Sequence, residues 1–187
     1  MKDYYKIFML ILLSLPVILF GSDTDYDYEF VREDSCCSFR GNFTVKAEPD
    51  NLVELIYDFD KIKEYTVTVK SLELVRRGED WYEVAFTYQD LLVFENQSIW
   101  RRTINRAEKI IVFEMISSWN NSNIIPELLS STGYYQFKPA KEGCLVEFFQ
   151  ECRLKPGLLN EAYYNKAEKD GIKFLSVFKD FIERNCD

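Results

Sequence analysis

The side chains able to do chemistry are few, and their types exclude several mechanisms at once. The 187 residues contain no histidine, which removes His-based triads, imidazole metal ligands and imidazole proton shuttles. General acid–base work then falls to a buried carboxylate, tyrosine or lysine with a shifted pKa. Glu114 and Tyr88 are available, but no spacing fixes them as a pair. Lys166 and Asp170 stand four apart, so a helix would place both on one side. They read either as a polar handle for a ligand head group or as an ordinary solvated pair of ~0.3 kcal/mol. Arg101, Arg102 and Arg106 form the main basic cluster besides Arg76 and Arg77. They read as charges on a solvated sheet face, with contact to an anionic lipid surface as the alternative. There is no Gly-rich phosphate loop, nucleophile elbow or metal-ligand spacing, so no cofactor and no metal is expected. With 23 basic and 31 acidic residues the net charge is −8. That field repels a polyanion, and nucleic acid is not expected as a partner.

The five cysteines are Cys36, Cys37, Cys144, Cys152 and Cys186. No CxxC occurs and the one close pair is adjacent, which does not suggest zinc. They read either as small buried hydrophobes or, in an oxidising compartment, as disulfide partners. An odd count leaves at least one free or paired outside the chain.

The elements that must position these groups follow from hydrophobic patterning. Lys2 and Lys6 flank an apolar run over residues 7–20, followed by Gly21, Ser22 and an acidic stretch. This order predicts a secretory signal peptide over residues 1–21, hence a secreted or periplasmic protein. At 1.5 Å per residue the run reaches about 21 Å, short of a bilayer core of roughly 30 Å. An uncleaved membrane anchor is the alternative. Residues 22–35 are acidic, Tyr-rich and aperiodic, and read as a linker. Residues 36–46 alternate as a half-buried strand. Glu48, Pro49 and Asp50 open a helix with Leu52, Val53, Leu55, Ile56 and Phe59 on its apolar face. A second short helix or turn follows over 58–65. Strands are expected at 67–76, 81–89, 94–104, 109–117, 133–139 and 144–154, with a Ser- and Asn-rich loop at 118–132. Residues 158–184 read as one long helix at the three-and-four period. With 47% hydrophobic residues, the chain supports one sizeable core.

Two stretches carry a resemblance. Phe39-Arg40-Gly41-Asn42-Phe43, followed by residues 47–60 beginning Ala47-Glu48-Pro49-Asp50-Asn51, is similar to the first strand and helix pair of the START-like superfamily. This superfamily includes polyketide cyclase/dehydratases, birch-pollen-allergen-type proteins and coenzyme Q-binding proteins. Residues 133–139, from Gly133 to Pro139, followed by Gly143-Cys144-Leu145-Val146, resemble its penultimate hairpin. The resemblance spans residues 36–185 and implies a START-like domain over 36–187. It departs in the export signal, the cysteines and the polar Asn96-Gln97-Ser98.

The resemblance implies an α+β helix-grip fold. A seven-stranded antiparallel curved sheet would carry two short helices after the first strand and a long C-terminal helix. It also implies an apolar cavity between that helix and the sheet, since members bind lipids, sterols, quinones or polyketides and a minority are enzymes. The implied ligand-binding residues are Tyr82, Val84, Phe86, Tyr88, Phe113, Met115 and Phe148 from the sheet. Tyr163, Ala167, Asp170, Gly171 and Phe174 would face them from the helix. Each aromatic equally fits plain core packing, and Gly171 suggests clearance for a ligand or a packing contact. In the resembled fold the first and last strands are antiparallel neighbours. That implies disulfides joining Cys37 or Cys36 to Cys152, and Cys144 to Cys186. The expected function is that of an exported, non-catalytic carrier of a hydrophobic small molecule, with transient membrane contact. The alternatives are a cyclase or dehydratase-type enzyme and a protein-interaction role.

Overall fold

The computed structural model describes residues 25–90, 94–120 and 124–186. The expected signal peptide over 1–21 lies outside the described residues. Among the described residues no helix is long and apolar enough to cross a membrane.

The elements are β1 (Asp27–Glu33), β2 (Cys36–Val45), α1 (Pro49–Tyr57), a 3-10 turn (Phe59–Lys61), α2 (Ile62–Tyr65), β3 (Val69–Arg77), β4 (Trp81–Asp90), β5 (Phe94–Asn105), β6 (Ile110–Asn120), β7 (Glu127–Ala140), β8 (Gly143–Lys155) and α3 (Asn160–Cys186). The strands form one sheet in the order β1-β2-β8-β7-β6-β5-β4-β3, every neighbouring pair antiparallel. Register shifts place bulges in β3, β6 and β7, which bend strands and let a sheet curl. Pro49 sits at the start of α1 with Asp50 in its first turn, and Leu52, Val53 and Ile56 are buried beneath it.

Three sequence expectations change. The sheet has eight strands, not seven, because residues 27–33 of the expected linker pair with β2. Asp27 and Glu29 stand exposed while Tyr28 and Phe30 are half-buried, and Tyr28 stacks on Phe39 at 5.9 Å. The acidic residues that hide this pattern suit an edge strand, where charge discourages further pairing. The expected loop at 118–132 is mostly strand, since β6 runs to Asn120 and β7 begins at Glu127. Ser131 is buried there, its hydroxyl bonded to the Glu151 carbonyl at 2.8 Å, so ladder pairing overrides weak intrinsic preference. The long helix begins at Asn160 and runs to Cys186.

Helix α3 lies on the sheet unevenly. Its second half buries Leu175, Phe178, Phe181 and Ile182, with Phe178 against Phe43 at 5.9 Å and Tyr65 at 5.3 Å. Two glycines set the approach. A Cβ on Gly41 would come within 2.3 Å of Leu175, and one on Gly171 within 2.5 Å of the Phe39 ring. The first half of the helix buries only Tyr164, and space remains beneath it.

Candidate ligand-binding cavity

That space is a cavity of about 320 Å³ between the sheet and α3, within the range of small-molecule sites. Aromatic rings build its wall. Phe148 lies 4.7 Å from Phe174 and 5.9 Å from Phe113, centroid to centroid. Of the residues expected from the sequence, Phe86, Tyr88, Phe113 and Phe148 line it from the sheet. Tyr163, Ala167, Asp170, Gly171 and Phe174 line it from the helix. Tyr82, Val84 and Met115 are not among its lining residues. Tyr82 and Val84 share the inward face of β4 with Phe86, but at the end sealed by packing. Tyr82 sits against Tyr57 at 4.9 Å and Phe59 at 6.2 Å. Met115 packs against the main core cluster. Gly171 serves packing against Phe39 as well as bordering the cavity, so its missing side chain has a structural cause.

Among the polar side chains in the wall is a buried charge, Arg102, 4% exposed. The sequence reading put it on a solvated face with Arg101 and Arg106. Those two do lie outside, paired with Glu83 and with Glu54 and Asp80, whereas Arg102 turns inward with Trp100 and Ile104. The alternation Ser98, Trp100, Arg102, Ile104 was the available signal, since a strand sends every second side chain to one face. Arg102 Nη1 donates to Tyr65 Oη at 2.8 Å and Nη2 to the Ile56 carbonyl at 2.8 Å. Tyr65 Oη donates to the same carbonyl at 2.9 Å. The Tyr135 and Tyr82 rings lie 5.4 and 5.7 Å from the guanidinium carbon. Arg102 Nε has no hydrogen-bond partner, and no ion pair joins Arg102 to a carboxylate among the described residues.

A guanidinium stays protonated at any ordinary pH, so the cavity wall carries a permanent positive charge, while Asp170, the carboxylate that also lines the cavity, is paired with Lys166. Burial disfavours this charge, but the oxygens of Tyr65, Tyr82 and Tyr135 support it, and the pKa is raised. Burial also pushes the Tyr65 phenol up, against the opposing pull of Arg102. Tyr88 and Tyr135 are likewise raised by burial. These phenols are therefore neutral hydrogen-bonding groups. Lys166 and Asp170 form an ion pair along the helix, 27% and 32% exposed, on the open side of the cavity. Glu114, the other acid–base candidate, is exposed on the outer face near Arg101.

No disulfide joins the cysteines among the described residues. Cys37 and Cys152 border the cavity and face each other across β2 and β8. Cys144 is fully buried, and burial pushes its thiol up to about 11. Cys186 packs against the core cluster that contains Cys144.

No known protein-family profile matches the chain, and no curated protein matches it in sequence. Solved structures do match in shape. A STAR-related lipid transfer protein from Xanthomonas axonopodis superposes with a TM-score of 0.62 at 13% identity, covering 84% of this chain and 94% of that one. The Zhui aromatase/cyclase from a Streptomyces species gives 0.62 at 12% identity, covering 80% and 95%. A START superfamily protein from Mycobacterium smegmatis gives 0.54 at 12% identity, covering 81% and 96%. The fold is START-like. Within this START-like frame the cavity lies beneath the long helix, as the sequence resemblance implied. The buried arginine at its wall was not anticipated from the sequence.

Proposed function

We propose that this START-like chain is an exported, non-catalytic binding or carrier protein. Its ligand is a hydrophobic small molecule, of lipid, quinone or polyketide-like character, held between the sheet and α3. The observation that carries the reading is Arg102, a buried cation at the wall of a cavity lined largely by aromatic and other apolar side chains. Stranding a charge in an apolar interior costs several kcal/mol unless something answers it. An acidic or carbonyl oxygen at the end of an apolar molecule answers it, while the rings take the apolar body. The shape matches to a lipid transfer protein and an aromatase/cyclase support an apolar ligand. Export rests on the charged–apolar–small order of residues 1–22.

Native mass spectrometry of the purified protein, followed by solvent extraction, tests this. A retained apolar molecule bearing an acidic or carbonyl oxygen is expected. Protein that is always bare, and that takes up no cis-parinaric acid on titration, contradicts it.

A cyclase or dehydratase-type enzyme is the second reading, favoured by one observation. Arg102 Nε has no hydrogen-bond partner, and a guanidinium donor at the cavity wall is able to polarise a carbonyl. Carrier function is preferred because the cavity phenols are shifted away from neutrality, where a general base would need to lie. Conversion of a linear poly-β-ketone to a cyclic product by the wild type, lost in Arg102→Met, would reverse that preference.

A further inference from the structure

We propose that Cys37 and Cys152 are a reversible dithiol–disulfide couple that latches the β2–β8 seam in the cavity wall. The two are direct partners in the antiparallel register and share the inward face. Cys36 lies opposite Arg153, on the other face, and is not placed to compete. Two residues along the ladder, Leu154 N donates to the Ser35 carbonyl at 2.7 Å. That assigns Cys37 and Cys152 to the hydrogen-bonded set of the ladder, whose Cα atoms stand about 5.5 Å apart. Disulfides span about 4.4–6.8 Å between Cα atoms and about 3.5–4.5 Å between Cβ atoms, so the Cα spacing admits a bridge and a small local tilt of the two strands brings the Cβ atoms within reach.

The surroundings divide the labour between the sulfurs. Cys37 is buried and Cys152 partly exposed. Ser131 Oγ lies 3.2 Å from Cys152 Sγ, and Gln150 Nε2 donates to Ser131 at 3.1 Å. Hydrogen bonding from the neighbouring Cys37 thiol, with Ser131 and Gln150 adding to it, favours the Cys152 thiolate against the opposing effect of burial. The same hydrogen bond, with burial, raises the Cys37 pKa. Cys152, the more exposed sulfur and the one beside the Ser131 hydroxyl, is the attacking sulfur and Cys37 the resolving one, since exchange needs an accessible thiolate.

With a low-molecular-weight disulfide such as glutathione disulfide, the Cys152 thiolate attacks one sulfur. The S–S bond breaks, a mixed disulfide forms and one glutathione thiolate leaves. Cys37 gives up its proton and attacks Cys152 Sγ, expelling the second glutathione. Two protein thiols are oxidised to one disulfide, one glutathione disulfide is reduced to two thiols, and the Cys37 proton ends on the departing glutathione.

The latch lies where the helix is tied to the sheet. Tyr164 Oη donates to the Asp34 carbonyl at 3.2 Å, and Arg32 forms an ion pair with Glu161. Bridging at this point restrains β2, β8 and the adjacent start of α3. The couple stands on strand register and does not depend on the ligand reading.

The test is to equilibrate the purified protein in glutathione buffers of increasing oxidised fraction, quench with acid, alkylate and map the peptides. A Cys37–Cys152 peptide should appear in oxidising buffer and disappear in reducing buffer. Cys36→Ser should retain it. Cys37→Ser should accumulate a glutathione adduct on Cys152, whereas Cys152→Ser should leave Cys37 unmodified. The bridged wild type should unfold at a higher urea midpoint than the reduced form, a difference absent from Cys37→Ser. Cys37 and Cys152 both alkylated in every buffer would overturn the couple, as would a bridge from Cys36 to Cys152. Equal urea midpoints for the bridged and reduced wild type would overturn the latch.

Discussion

Arg102 decides the chemistry at the scale of single residues, because its charge is permanent while its surroundings are aromatic. A charge-assisted hydrogen bond to a ligand oxygen is worth about 1.5–3 kcal/mol, which corresponds to roughly 10–150-fold in affinity. The wild type should therefore bind dodecanoate at least about tenfold more tightly than dodecanol, measured by displacement of cis-parinaric acid. Arg102→Met should bring the two to near parity. Its urea midpoint should hold or rise, because a buried charge without an anion is replaced by an apolar chain of similar length. Tyr65 keeps its own bond to the Ile56 carbonyl in that variant. A second residue-scale prediction concerns the outer face. Glu83 is buried between Arg76 and Arg101. The hydrogen bond from Arg76, reinforced by Arg101 against the opposing effect of burial, holds its carboxyl below the ordinary carboxylate range. A depressed folded-state pKa means the stabilisation is complete above the unfolded value of about 4.3 and is lost as pH falls towards the folded value. The wild type should out-melt Glu83→Gln at neutral pH, and the gap in Tm should shrink from about pH 5 downward. A gap that stays constant to about pH 3 would contradict the assignment.

Among the elements, α3 and β2 approach closely enough that a single added Cβ is felt. Gly171→Ala improves helix propensity by about 1 kcal/mol, yet its Cβ would meet the Phe39 ring at 2.5 Å. Overpacking costs about 1–3 kcal/mol, so a net loss of about 1 kcal/mol is expected in urea unfolding. Phe39→Leu in the same chain should recover part of it. A Gly171→Ala variant more stable than the wild type would show that the helix can lift from β2 without cost. This contact also shows what patterning can and cannot deliver. The helical period of residues 158–184 was legible, and so was the alternation of β2 and β8, because each records one buried face. That Gly171 meets a phenylalanine ring was not legible, since it depends on how closely two distant elements approach. Edge strand β1 was hidden for a different reason: a half-buried strand of seven residues with charges at alternate places looks like an acidic linker. Strand β5 carried a usable signal that was misread. Three arginines close in sequence suggested one solvated cluster, although strand alternation separates Arg102 from Arg101.

For the molecule as a whole, the helix-grip arrangement leaves unequal halves under one helix. Phe178, Phe181 and Ile182 close one end, and the rings beneath the first half enclose the cavity. The aromatic lining was largely legible because inward strand positions were legible. The division between packed core and open cavity was not, since Tyr82 and Phe86 lie on the same face of one strand and differ only in what covers them. The polar end of the cavity went unread because it depends on β5 meeting α1 and α2 across the interior, where the Ile56 carbonyl and Tyr65 receive Arg102. The account therefore rests on where a ligand's polar end lies, and two positions compete: Arg102 in the interior and the Lys166–Asp170 pair at the open side. A crystal structure of the purified protein with dodecanoate measures this directly. The account predicts the alkyl chain between Phe148 and Phe174, with a carboxylate oxygen within hydrogen-bond distance of the Arg102 guanidinium. A carboxylate placed at Lys166, or dodecanoate bound outside the space beneath α3, would contradict it.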